Sequence, residues 1–144
     1  MSERSGPVAR RPLPVLTAST RDFWTGGRDG RLLIHRCQEC RYWVHPPAGF
    51  CPRCEGRYVA AEPASGRATV ASFTINHQQW EPDLPVPFVL ALVELEEQSD
   101  LRLATNIVNC LPEEVSIGMP VQVVFERHED VWVPLFQPAS LGAG

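Results

Sequence analysis

No run in this 144-residue chain is long and apolar enough to cross a bilayer. Residues 1–11 carry charge and proline but no apolar core, so no secretory leader is expected. These absences predict a soluble, cytoplasmic protein. Lysine is missing altogether, and all 13 basic residues are arginine. A glycine-rich nucleotide loop is missing too: Ser65-Gly66-Arg67 reads as a turn, not as a phosphate cradle. Positive charge is scarce in the second half. Residues 68–144 hold two arginines against eleven acids, whereas residues 1–67 hold eleven arginines against six acids, within an overall charge of −4. An acidic half is a poor surface for nucleic acid, because binding to a phosphate backbone depends on cation density. The basic half suits an anion such as a nucleotide phosphate.

Against these absences stand four cysteines in two Cys-x-x-Cys pairs, Cys37/Cys40 and Cys51/Cys54, ten residues apart. Such pairs bring four thiolates together on two facing turns, the ligand set of a closed tetrahedral site. Pro52 presets the second turn. Thiolates in a closed set select zinc, with iron as the rubredoxin-like alternative. All four positions are filled, so no site is open to a catalytic water, and the metal is expected to be structural. Two disulfides are the competing reading. The cytoplasmic setting and the odd count of five cysteines argue against them.

The order of elements follows from composition. Residues 1–18 form a Pro/Arg-rich arm without periodicity, expected to be flexible. Ser19 or Thr20 is placed to cap a short helix through Phe23 and Trp24 to about Arg28, limited by Gly26, Gly27 and Gly30. Residues 19–64 hold this helix and a zinc ribbon. Arg31–Arg36 reads as a strand entering the first knuckle and Tyr42–His45 as its return. So small a ribbon has little core of its own, and the metal would supply its folding energy. Residues 65–144 read as five strands: Arg67–His77, Pro87–Leu95, Leu101–Asn109, Val121–Arg127 and Val131–Phe136. Glu81-Pro82-Asp83 marks the turn after the first. A short helix starting at Pro112 and stopping at Gly118 lies between strands three and four. The predicted fold is mainly β: N-terminal helix, rubredoxin-like zinc ribbon, then a five-stranded OB-fold barrel.

Several stretches taken in order carry a resemblance to a known family. They include Phe23-Trp24, Gly30-Arg31-Leu32-Leu33, both cysteine pairs and Ser65-Gly66-Arg67-Ala68-Thr69-Val70. Further on come Pro87-Phe88-Val89, Ala91-Leu92-Val93-Glu94-Leu95, Thr105-Asn106-Ile107-Val108 and Ile117-Gly118-Met119-Pro120-Val121. The chain resembles the zinc-ribbon plus OB-fold accessory proteins that partner thiolase-like enzymes of acyl-CoA metabolism. One departure is Glu55, where family ribbons often place a glycine. It predicts a looser set of backbone N–H bonds to sulfur at that knuckle. The resemblance implies a non-catalytic scaffold subunit, in a heterotetramer of two chains each with a thiolase-like dimer. Reactions implied include carbon–carbon cleavage beside an acyl-CoA carbonyl, among them steroid side-chain removal. Phe23, Trp24 and Trp132 are the expected partner anchors. Arg28, Arg31, Arg36, Arg41, Arg53 and Arg57 surround the ribbon, and their guanidinium forks suit the phosphates of CoA.

Catalysis by the chain itself finds little support. Cys110 follows an apolar strand with no histidine near it in sequence, and a free cysteine is usually a small buried hydrophobe. His77 ends a strand, and Glu113 and Glu114 suit a helix start without a catalytic role. His35 and His45 flank the ribbon as spare ligands beside four cysteines. An independent acyl-CoA enzyme using Cys110 or His77 is one alternative. A binder of single-stranded nucleic acid is the other, opposed by the acidic barrel half.

Overall fold

The computed structural model describes residues 13–79 and 85–139. Residues 1–12 of the expected arm over 1–18, and the turn at Glu81-Pro82-Asp83 with Trp80, lie outside the described residues. The chain opens with a short helix, α1 (Arg21–Thr25), which tightens into a 3-10 turn at Gly26–Asp29 and stops at Gly30, in the left-handed region at φ 69°. Thr20 occupies the N-cap position, but its hydroxyl accepts from the Thr17 N–H at 3.1 Å rather than capping α1. The helix is short because two glycines follow it, and those glycines have a packing role. A Cβ on Gly27 would sit 2.5 Å from the Trp132 Cβ and 2.6 Å from a Phe125 ring carbon. Only a residue without a side chain lets the turn lie directly on these two aromatics.

Three strands build the ribbon: β1 (Leu32–Cys37), β2 (Trp43–Val44) and β3 (Val59–Ala64), antiparallel in the order β2-β1-β3. The third strand has no counterpart in the sequence reading. Its residues, Val-Ala-Ala-Glu-Pro-Ala, have only Val59 as β-branched bulk and lack the alternation that marks a strand. It forms because β1 offers a full-length edge, pairing from Leu32↔Ala64 to Cys37↔Val59.

Ser65 and Gly66 then turn the chain into the barrel. Its strands are β4 (Arg67–Asn76), β5 (Phe88–Leu95), β6 (Arg102–Ile107), β7 (Pro120–His128) and β8 (Val131–Pro138). They close in the order β4-β5-β6-β8-β7. This is the OB-fold arrangement, with a 3-10 turn (Pro112–Glu114) between β6 and β7. Glu114 accepts the Leu111 N–H at 2.7 Å, so one of the paired glutamates ties the turn's entry. The seam between β6 and β8 is parallel and short, with Ile107 opposite Phe136. Thr105 supplements it by donating its hydroxyl to the Pro134 carbonyl at 3.1 Å.

The ribbon does not stand on metal alone. Leu32, Ile34 and Trp43 belong to the same buried cluster as Val70, Val93, Leu103, Phe125 and Phe136 of the barrel. Burying each large side chain contributes about 1.5–3 kcal/mol, so ribbon and barrel share one apolar core. Among the described residues, no helix is long and apolar enough to cross a membrane.

Candidate metal centre and its surroundings

Each cysteine pair sits on a turn with the same wiring. In the first, Arg41 N–H donates to the Cys37 carbonyl at 3.1 Å and Cys37 N–H to the Tyr42 carbonyl at 2.8 Å. In the second, Glu55 N–H donates to Cys51 O and Cys51 N–H to Gly56 O, both at 2.8 Å. The residue after the second cysteine of each pair takes the left-handed conformation, Arg41 at φ 68° and Glu55 at φ 65°. That conformation costs a non-glycine residue about 1–2 kcal/mol, which the hydrogen bonds closing each turn help to offset.

The turns bring the sulfurs of Cys37, Cys40, Cys51 and Cys54 within 4.8 Å of one another. Cys37–Cys54 and Cys40–Cys51 sulfurs are each 3.6 Å apart. A disulfide requires about 2.05 Å, and all five cysteines are free. A tetrahedron with metal–sulfur bonds of about 2.3 Å has edges of about 3.8 Å. The observed spacing therefore fits a four-coordinate cation. Backbone N–H groups point at the sulfurs: Glu39 and Cys40 at Cys37, Arg53 at Cys51 and Gly56 at Cys54, all at 3.4 Å. The Gly56 bond corrects the expectation of a looser second knuckle, because Glu55 takes the left-handed conformation that a glycine was expected to supply.

The N–H of Cys40, with that of Glu39 and the neighbouring thiols, pulls the Cys37 thiol down to about 7, against the effect of burial. Burial pushes Cys51 up, and the N–H groups of Cys54 and Arg53 and the neighbouring thiols outweigh it to leave Cys51 lowered. Cys54 is held at about 12: the Gly56 N–H lowers it, but the neighbouring thiols and burial prevail. The group thus ionises readily at one end and resists full deprotonation at the other. A cation at its centre removes that resistance. Cys37 and Cys51 are fully buried while Cys40 and Cys54 are exposed, and with four sulfurs converging the set supplies every position of a four-coordinate cation.

The arginines divide. Arg36 and Arg41 converge on Glu62 at 3.5 and 2.9 Å, with Gln38 donating to the same carboxylate at 2.8 Å. Arg36 also lies 4.5 Å over the Trp43 ring and Arg53 5.7 Å over Tyr42. Arg28 and Arg127 lie 5.2 and 5.1 Å over Trp132. Arg31 and Arg57 are exposed.

Trp132 is not a surface anchor. It is 3% exposed, because the Gly26-Gly27 turn and the two arginines cover it. Phe23 is half-buried, packing its ring edge-on to Trp24 at 4.8 Å and against His45 at 5.1 Å. It thereby staples α1 to the ribbon. Trp24 is also half-buried. His45 is pushed down to about 4 by burial and by the neighbouring His35.

Cys110 packs partly against the core, and burial raises its thiol. His77 is exposed just past the end of β4. Two groups escaped the sequence reading. Glu126 is fully buried on β7, 2.9 Å from the His128 ring, a carboxylate hidden in an apolar strand. Gln98, in the turn between β5 and β6, reaches across to the ribbon, accepting from the Trp43 N–H at 2.9 Å and donating to the Trp43 carbonyl at 3.0 Å. A crevice of about 180 Å³ lies beside this contact, lined by Tyr42, Trp43, His45, Phe50 and Asp100.

Comparison with known proteins gives two adjoining family matches. Residues 24–59 match the rubredoxin-like zinc ribbon domain of ChsH2, and residues 61–126 match its C-terminal OB-fold domain. A DUF35 domain-containing scaffold protein of Methanocaldococcus jannaschii is 35% identical over 98 residues, covering 67% of this chain and 68% of that protein. The 3-oxo-4,17-pregnadiene-20-carboxyl-CoA hydratase alpha subunit of Mycobacterium tuberculosis is 35% identical over 125 residues, 87% of this chain and 39% of that subunit. The chain thus spans about two fifths of the length of the hydratase alpha subunits that it matches. Among solved structures, a chain of an Ltp2-ChsH2(DUF35) aldolase superposes with a TM-score of 0.78 at 34% identity, covering 89% of this chain and 100% of that one.

Proposed function

This chain belongs to the ChsH2 family of zinc-ribbon and OB-fold proteins, and from that membership we propose that it is a non-catalytic scaffold subunit of a thiolase-like acyl-CoA enzyme. The observation that carries the reading is the similarity along the full length of a chain from an aldolase whose name pairs ChsH2 with a second component, Ltp2. In this reading the four thiolates hold zinc, with iron the alternative. The partner supplies the reacting groups. This chain stabilises the partner and helps form its acyl-CoA site, in an assembly of two chains each. Arg31, Arg57 and Arg53 are the ribbon arginines best placed to meet CoA phosphates, since Arg36 and Arg41 are engaged by Glu62. Trp24 remains the aromatic for partner contact, in place of Trp132.

The centre's own chemistry supports the division of labour. A closed thiolate set orients nothing for reaction, whereas catalysis requires a nucleophile, a base or an open metal position near substrate. The names of the hydratase alpha subunits favour a second reading, in which the enzyme served is an acyl-CoA hydratase without a thiolase-like chain. Assaying each subunit singly and together on β-hydroxy- and β-keto-acyl-CoA thioesters, and on the enoyl-CoA, separates the two. Turnover is expected only from the pair. In the complex, Cys110→Ala and His77→Ala should keep activity within about tenfold, since loss of a general acid–base costs about 10²–10⁴-fold. Collapse of activity in either variant, with the complex still assembled, would move catalysis onto this chain.

A further inference from the structure

The turn between β5 and β6 touches the ribbon at several points, which a simple hairpin turn does not require. Gln98 pairs with both backbone groups of Trp43, closing the free edge of β2 as a strand would. The Tyr42 hydroxyl donates to Asp100. Glu97 accepts the Ser65 N–H at 2.6 Å, where β3 hands over to β4.

On the ribbon side the contacts of Gln98 and Asp100 converge on Tyr42 and Trp43, which are joined to both cysteine turns. The Tyr42 carbonyl receives the Cys37 N–H at 2.8 Å. The Tyr42 ring lies under the guanidinium of Arg53, whose own N–H points at the Cys51 sulfur. A continuous set of hydrogen bonds and ring contacts therefore runs from the barrel turn to one cysteine of each pair.

We propose that the β5–β6 turn is a latch, with Gln98 and Asp100 as positioning residues, that couples metal retention in the ribbon to the barrel. The physical reason is shared geometry. Metal binding fixes the two knuckles, which fixes Tyr42 and Trp43, which presents the groups that Gln98 and Asp100 hold. Coupling of this kind is reciprocal: what the metal contributes to the latch, the latch contributes to the metal.

The inference rests on the metal reading of the four cysteines, so metal content of the purified chain is measured first. Release of the bound metal to a competing chromogenic chelator is then timed. Gln98→Met keeps the aliphatic stem but loses both bonds, and Tyr42→Phe keeps the ring but loses the hydroxyl. Each should speed release by about tenfold, the low end of what groups just outside a metal's ligands usually contribute. Ser99→Ala, an exposed change in the same turn, should leave release unchanged. Hydrogen exchange at the Trp43 amide should rise in Gln98→Met while the metal is still bound. If Gln98→Met does not fold, Tyr42→Phe decides alone. A chain without metal would overturn both the metal reading and the latch. Bound metal with unaltered release in the folded variants, or equal acceleration by Ser99→Ala, would overturn the latch alone.

Discussion

The ribbon and the barrel solve the same problem with different chemistry. The barrel closes five strands on an interior of valine, leucine and phenylalanine, and every strand has a neighbour on both sides. The ribbon's sheet has three strands, one of them two residues long, and it stays open at both edges. Non-glycine residues take the left-handed conformation in both, Arg41 and Glu55 in the ribbon and Asn109 and Glu129 in the barrel. A closed barrel leaves no strand edge unpaired, whereas the small open ribbon gathers four thiols that a cation would tie together. The contrast is softened by the core that they share: Leu32 and Ile34 leave the ribbon to pack among barrel residues. Metal loss should therefore loosen the knuckles first and leave β1 partly anchored.

Removing the metal gives the largest expected effect. Structural zinc contributes about 10–16 kcal/mol of apparent binding energy in isolated zinc-finger peptides. Cys51→Ser, or treatment with chelator, should abolish near-ultraviolet signals from Tyr42 and Trp43 while far-ultraviolet barrel strand content persists. Simultaneous loss of both signals would mean that the two regions form one cooperative unit.

Next comes the barrel's interior. Phe125 is 1% exposed and touches the Gly26-Gly27 turn. Phe125→Ala should cost about 3–5 kcal/mol, the usual range for a buried phenylalanine truncated to alanine. Denaturant unfolding measures it. Metal stoichiometry of the folded fraction should stay unchanged, because none of the four paired cysteines belongs to the core cluster that holds Phe125. A loss of bound metal would show that the ribbon depends on the far end of the barrel.

The parts legible in the sequence were those fixed by local chemistry. Paired cysteines at Cys-x-x-Cys spacing force a turn whatever surrounds them, and the short apolar run Phe88–Leu95 reads as a strand from its length and its flanking turn signals, although which of its faces is buried appears only in the fold. What was illegible depended on distant partners. β3 exists because β1 has an edge to offer, not because Val59–Ala64 favours a strand. Trp132 read as a surface aromatic because its cover comes from a turn more than a hundred residues earlier in the chain. Gln98 looked like ordinary turn polarity until the fold brought it against Trp43.

The smallest of the expected effects tests how firmly α1 is tied to the ribbon. His45, packed under Phe23, is pushed down to about 4 by burial. In the unfolded chain it takes up a proton near the usual value of about 6.5. Between these values the unfolded state binds more protons than the folded state, so stability falls as pH drops. The stabilisation is fully present above about pH 6.5 and is lost as pH falls toward about 4, amounting to about 3 kcal/mol at a cost of about 1.36 kcal/mol per unit. Acid also protonates the cysteines, so the comparison must cancel that effect. His45→Phe keeps a ring against Phe23 and removes the titration. The stability gap between the two proteins should be flat above pH 7 and shift by about 3 kcal/mol in favour of the variant by pH 4. A gap that does not change with pH would mean that His45 is hydrated in solution and that the Phe23 staple opens freely.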